Sequence, residues 1–176
     1  MMKKLVFLLL GLVIFLGLHD SVNAIDSDKA TTKRPMTTKE AFESNGYTSL
    51  KKATREFEKN SNLKVKLPRN IPFKVTHKFG KVESDSRLTL HYLGECFKDN
   101  VLTVTVSQNK LGKYDGDAYK LKNGTEVLIQ EDSNPNLHFP TILTFKKDNL
   151  YYDFMLLYEE KDLEKQKIIE IVETLN

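Results

Sequence analysis

The residues able to do chemistry in this chain are few and scattered. Beyond the N-terminal segment the histidines are His77, His91 and His138, and the single cysteine is Cys96. No pair of them has the i,i+4 or Cys-x-x-Cys spacing of a metal site. His77 and His91 fall on strand-like stretches that could be neighbours, but the plainer reading is two unrelated strand-face histidines. A nucleophilic Cys96 would need a histidine or another positive group beside it to hold a thiolate. Next to Phe97, near a strand end, it reads better as a small core residue, with a nucleophile or a dimer-forming thiol as alternatives. Asp99, Asp115, Asp117, Glu131 and Asp132 gather in loops. Paired carboxylates can do acid–base work or hold calcium. Asp115-Gly116-Asp117 is only a fragment of a calcium loop, so solvated turn acids are the better reading. The chain has neither a glycine-rich phosphate loop nor a Gly-x-Ser-x-Gly elbow. Asn123-Gly124-Thr125 matches a glycosylation sequon, which its turn position already explains. No catalytic residue, metal ligand or cofactor-binding residue is assigned, and no cofactor is expected.

One stretch could bind rather than react. Leu150 to Tyr158 alternates Tyr152, Phe154, Leu156 and Tyr158 on one side with Tyr151, Met155 and Leu157 on the other, broken only by Asp153. Tyr152, Phe154 and Tyr158 form a candidate face for an apolar ligand or a peptide. Core packing is the competing and stronger reading, since large aromatics are buried far more often than they are used.

Those residues need elements to position them. Thr37 and Glu40 have the spacing of a capping box before Ala41 and Phe42, and Gly46 interrupts any long helix there. Ser49 is a good N-cap for a helix with Leu50, Ala53 and Phe57 on one face, ending near Asn60 to Asn62. Leu63, Val65 and Leu67 alternate with lysines as in a strand, after which Pro68 and Pro72 make a stiff corner. Phe73–Val82, Arg87–Leu93 and Val101–Gln108 follow as strands, with a turn through Gly94, Asp99 and Asn100. Asn123-Gly124 should join two strands by a turn in which both positions have positive φ. Lys147-Asp148-Asn149 joins another pair, Ile142–Lys146 and Leu150–Tyr158. Asp162 to Leu175 reads as a closing helix with Ile168, Ile171, Val172 and Leu175 in a stripe. The fold class is therefore α+β: a mostly antiparallel, curved sheet of about six or seven strands, flanked by an N-terminal and a C-terminal helix. The terminal helices should cover one face of the sheet. The other should face a pocket, a partner or a curved sheet interior.

The N-terminus carries an address. Met1-Met2-Lys3-Lys4 precedes an apolar run of 14 residues, Leu5 to Leu18, then a polar step and Val22-Asn23-Ala24. This is the order of a cleavable signal peptide, and the run is short of the roughly 20 residues a membrane helix needs. Residues 1–24 are read as the signal, 25–37 as a flexible polar leader, and 38–176 as a single domain. Cutting after Ala24 leaves 152 of the 176 residues and lowers the net charge from +3 to +2, because Lys3, Lys4 and Asp20 go. That charge is far from a nucleic-acid-binding composition. One cysteine closes no internal disulfide, so stability must come from a hydrophobic core, which this length can build.

The order of these motifs resembles a known family. Leu67-Pro68 with Ile71-Pro72, Leu88-Thr89-Leu90-His91-Tyr92, Leu102-Thr103-Val104-Thr105-Val106-Ser107-Gln108, the Asn123-Gly124 hairpin, the paired strands from Ile142 to Tyr158, and the closing Ile171-Val172-Glu173-Thr174-Leu175 carry the match, over residues 60–176. The family is an uncharacterised extracytoplasmic domain of Gram-positive bacteria, found in secreted proteins, lipoproteins and the outer domains of anti-sigma factors. It commonly has a tryptophan on the strand that holds Ile142 to Phe145 here; this chain has none, and Phe145 takes that place. The resemblance implies a curved antiparallel sheet with a packed helix and no enzyme activity. The combined reading is a secreted, non-enzymatic binding or sensor-type domain at the cell envelope. The partner expected is an envelope protein or an apolar envelope molecule, not nucleic acid, and a membrane only through an uncleaved signal segment. The alternatives are a secreted hydrolase or thiol enzyme, and a carrier of an apolar ligand.

Overall fold

The computed structural model describes residues 34–84, 86–96, 98–112, 116–131 and 139–175. Residues 1–24, expected to be a signal peptide, most of the expected leader, Asp115, Asp132 and His138 lie outside them. Residues 36–176 make up one compact unit. Among the described residues no helix is long and apolar enough to cross a membrane.

Local chemistry sets the first helices. Thr37 and Glu40 form the capping box: the Thr37 N–H donates to Glu40 Oε2 at 2.9 Å and the Glu40 N–H to Thr37 Oγ1 at 3.3 Å. This starts the short helix α1, Thr38–Ser44. Ser49 Oγ accepts from the Lys52 N–H and opens α2, Leu50–Ser61, which Asn62 ends at a left-handed φ of 57°. The closing helix α3 spans Glu164–Glu173, after a 3₁₀ turn at Lys161–Leu163.

The strands are β1 Thr48–Ser49, β2 His77–Ser84, β3 Arg87–Leu93, β4 Val101–Ser107, β5 Asp117–Lys120, β6 Glu126–Gln130, β7 Thr141–Lys147 and β8 Leu150–Leu157. They form one sheet of eight, ordered β1-β2-β3-β4-β8-β7-β6-β5, with every pairing antiparallel. The expected α+β class holds, with eight strands in place of six or seven. Two meanders, β2 to β4 and β5 to β8, meet where β4 lies beside β8. The chain leaves β4 mid-sheet and resumes as β5 at the far edge.

Three expectations are corrected. Leu63 to Leu67 is not a strand. Its apolar side chains do pack against the core, but prolines on its C-terminal side prevent a ladder, and side chains serve its backbone instead. The Val65 N–H donates to Glu58 Oε1 at 3.0 Å and the Lys66 N–H to the Tyr152 hydroxyl oxygen at 3.0 Å. β2 begins at His77 rather than Phe73, because Thr76 closes the preceding chain onto the Leu93 carbonyl. Finally, in the Asn123-Gly124 turn only Gly124 has positive φ, at 85°. Leu121 and Thr125 close this longer loop, and Asn123 Oδ1 accepts from the Thr125 N–H. The two-residue turn with both φ positive falls instead at Asp148 and Asn149, at 50° and 63°.

Helices α2 and α3 cover one face. Ala53 and Phe57 of α2, and Ile168, Ile171 and Val172 of α3, join Leu88, Leu90, Leu102, Val104, Leu143 and Phe154 in a single buried cluster. Each of these side chains larger than alanine is worth about 1.5–3 kcal/mol when buried. The close approach of α2 to β2 depends on Gly80: a Cβ there would lie 2.7 Å from the Ala53 Cβ. On the opposite face stand Thr89, His91, Thr103, Thr105, Thr144, Asp153 and Met155, as their register with one another requires. Helix α1 lies on this second face, where Phe42 stacks on Phe79 with ring centroids 4.3 Å apart.

Candidate functional site

The expected aromatic face lies inside the molecule. Tyr152 and Phe154 have 0% of their surface exposed and Tyr158 has 7%. Tyr152 stacks on Phe145, ring centroids 5.1 Å apart, and its hydroxyl holds the Lys66 N–H. Burial, more than any other influence, pushes that hydroxyl's pKa up. A ligand reaching these rings would have to part the helices from the sheet. Their work here is packing.

Cys96 is not the core residue the sequence suggested. It is exposed, in the turn between β3 and β4, where hydrogen bonds from the Asp99 and Asn100 amides to its carbonyl tighten the chain. Its thiol donates to Asp99 Oδ2 at 3.0 Å, and that bond to a carboxylate raises its pKa. A thiol nucleophile needs the opposite influence. Of the other loop acids, Glu131 pairs with Lys165 of α3 and Asp117 stands exposed on β5. No group of three His, Cys, Asp or Glu able to hold a metal occurs among the described residues.

His77 and His91 share a face of β2 and β3, two register positions apart, yet His91 is fully engaged elsewhere. Its Nδ1 lies 3.0 Å from Thr103 Oγ1 and its Nε2 3.1 Å from the Tyr47 hydroxyl. Phe42 and Tyr47 pack against its ring. Burial lowers its pKa from 6.5 to about 4 and raises that of Tyr47 to about 12. The ring is therefore neutral and fastens the α1 segment to the sheet. The unfolded chain takes up a proton near pH 6.5 that the folded one refuses until about pH 4. Stability should fall as pH drops through that window, by up to about 3 kcal/mol at 1.36 kcal/mol per pH unit. Denaturant melts at pH 7 and pH 5 check this. His91→Asn, with no proton to take up, should show a much smaller difference, and an equal difference would refute the assignment.

Glu164 escaped the sequence reading. It is 2% exposed at the start of α3. Its Oε1 accepts from the Tyr158 N–H at 2.8 Å, and Oε2 accepts from the Thr141 N–H at 3.3 Å and hydroxyl at 3.0 Å. One carboxylate thus joins the ends of β7, β8 and α3. An acid in the first turn of a helix was the signal available for it.

A shallow, open surface cleft of about 400 Å³ lies over the β5–β8 half of the sheet. Register explains its form. On the face away from α2 and α3, one row across the strands runs Lys120 and Glu126 on β5 and β6, then Lys146 and Tyr151 on β7 and β8. The next row runs Ala118, Leu128, Thr144 and Asp153. Lys110, on the chain crossing from β4 to β5, supplies another wall. Ala118, Leu128 and the Tyr151 ring give an apolar floor, and Lys110, Lys120 and Lys146 stand around it. Lys146 Nζ sits 5.3 Å from the centre of the Tyr151 ring. None of the three lysines is in an ion pair among the described residues.

No family model matches this chain, and neither does any curated protein or solved structure.

Proposed function

We propose that this chain is an exported, non-enzymatic binding domain acting at the cell envelope, and that it binds through the lysine-rimmed cleft on the open face of β5–β8. The observation that carries the reading is the pairing of an apolar floor with three lysines, none of them in an ion pair among the described residues, around a single carboxylate, Glu126. Three lysines around one carboxylate leave the cleft with a net positive charge, and an anion seated among them gains attraction that strengthens as water is displaced. The cleft is within the size range of small-ligand sites. It suits a ligand with an apolar body and a negative group. The resemblance of the motif order to extracytoplasmic domains, and the basic start, short apolar run and Val22-Asn23-Ala24, support the location. Cleavage before Ile25 is read directly by the intact mass of the exported product; a mass that still includes residues 1–24 would contradict export by cleavage.

The binding reading is tested with anilinonaphthalene sulfonate, a fluorescent anion with an apolar body. The full chain should bind it saturably near one site per molecule, and Lys120→Glu with Lys146→Glu should weaken it about tenfold or more, some 1.4 kcal/mol, without changing the melting curve. Equal binding by the double variant, or no binding by the parent, would remove the cleft as the site.

A further inference from the structure

The strand beside the cleft points to the kind of molecule that occupies it. β5 is the last strand of the sheet, and no strand pairs with its outer edge among the described residues. Its four residues are all exposed. An edge of this kind offers every second backbone N–H and C=O to another chain. Tyr119 stands out on it: Met36 and Tyr119 are the large apolar side chains left exposed among the described residues, Tyr119 at 42%. An exposed aromatic on an edge strand is a ready cross-strand partner for a side chain on an added strand. The two faces of β5 differ. Tyr119 points toward the helix side, in register with buried Val127, while Ala118 and Lys120 point into the cleft.

Resting on the binding reading above, we infer that the ligand is an extended acidic segment of a partner protein, added to the sheet as a ninth strand along β5. A strand laid there lies about 5 Å beyond β5. Its carboxylates on the cleft side meet Lys120 directly and Lys110 from the crossing chain. An apolar side chain between them reaches over Ala118 toward Leu128. On the other face a bulky side chain packs on Tyr119. Main-chain hydrogen bonds give affinity and the alternating side chains give selectivity, the division of labour of strand addition. Lys146 stands two strands inward, roughly 10 Å from β5, and belongs to the cleft more than to the edge. An anionic bilayer fits less well. The lysines surround a cleft that also contains Glu126, and the exposed apolar side chain nearby sits on a strand edge.

The probe is a short acetylated peptide alternating glutamate with valine or phenylalanine, labelled with fluorescein and followed by polarisation with the full chain. Binding should be saturable and weaken steeply with salt. Tyr119→Ala and Lys120→Glu should each weaken it about tenfold at unchanged melting temperature, and a lysine version of the peptide should not bind. Two further peptides carry N-methyl groups on alternate amides, one on the odd set and one on the even set. Strand addition requires one of them to lose binding and the other to keep it. Equal binding by both would overturn the ninth strand. Binding of phosphatidylglycerol vesicles without binding of the peptide would overturn the partner and make a membrane the occupant. If the naphthalene dye binds but no peptide does, the cleft stands and the peptide inference falls; if neither binds, both fall.

Discussion

Glu164→Ala should lower the unfolding free energy by about 3–5 kcal/mol. The Thr141 and Tyr158 N–H groups donate to its carboxylate in a site closed to water, and alanine leaves both without an acceptor. A buried donor left unsatisfied costs roughly 1–3 kcal/mol, and bonds to a charged group lie at the upper end. A domain of this kind holds about 5–15 kcal/mol in total, so the loss is a large part of it. Urea unfolding should show a lower midpoint with an unchanged slope, because the surface exposed on unfolding is the same. Glu164→Gln keeps one oxygen acceptor and should lose less. A loss below 1 kcal/mol for the alanine variant would mean that water reaches the ends of β7 and β8.

Tyr152→Ala should be as damaging for a different reason. It removes a fully buried ring from between Phe145 and Phe154 and leaves a cavity. Such truncations cost about 3–5 kcal/mol, which for a chain of this size lowers the melting temperature by roughly 10 °C or more. Tyr152→Phe separates the two contributions, since it keeps the ring and loses only the bond to the Lys66 N–H. It should cost about 1 kcal/mol. If Tyr152→Ala left the melting temperature alone and abolished binding instead, the β8 aromatics would be a site after all and the cleft would lose its place.

Much of the frame was legible because strand and helix periods are local. Leu88, Leu90 and Tyr92 alternate with Thr89 and His91 because β3 turns one face to the helices, and Ile168, Ile171 and Val172 lie on the side of α3 that meets the same core. Thr37, Glu40 and Ser49 act within a few residues of themselves, so their caps could be read directly. What could not be read were pairings between distant stretches. The alternation of Leu63, Val65 and Leu67 is real, but whether a ladder forms depends on a neighbour, and the neighbour there is a tyrosine hydroxyl 86 residues away. Cys96 looked like core because its neighbour Phe97 is apolar, yet the turn carries it outward. The run of β8 is apolar on both sides because neither side is open to water: the even side meets the helices, and on the odd side Tyr151, Met155 and Leu157 are half-buried around buried Asp153.

The candidate site was the least legible part. Lys110, Lys120 and Lys146 look like ordinary solvated lysines along the chain. They share a cleft because the chain jumps from the middle of the sheet to its far edge between β4 and β5, bringing Lys110 over the strands that carry the other two. That jump is a property of the topology and leaves no periodic mark. The tyrosines of β8 divide accordingly: Tyr152 turns inward to the core, and Tyr151, one residue earlier, turns outward to floor the cleft.

On the proposed reading the open face of β5–β8, and not the aromatic core, meets the ligand. Backbone amide spectra of the labelled chain, recorded while anilinonaphthalene sulfonate is added, test it most directly. The shifts which move most should belong to Ala118, Lys120, Leu128, Lys146 and Tyr151, while those of Ala53, Phe57, Ile168 and Ile171 should stay in place. Movement concentrated on α2 and α3, with the β5–β7 amides unchanged, would contradict it.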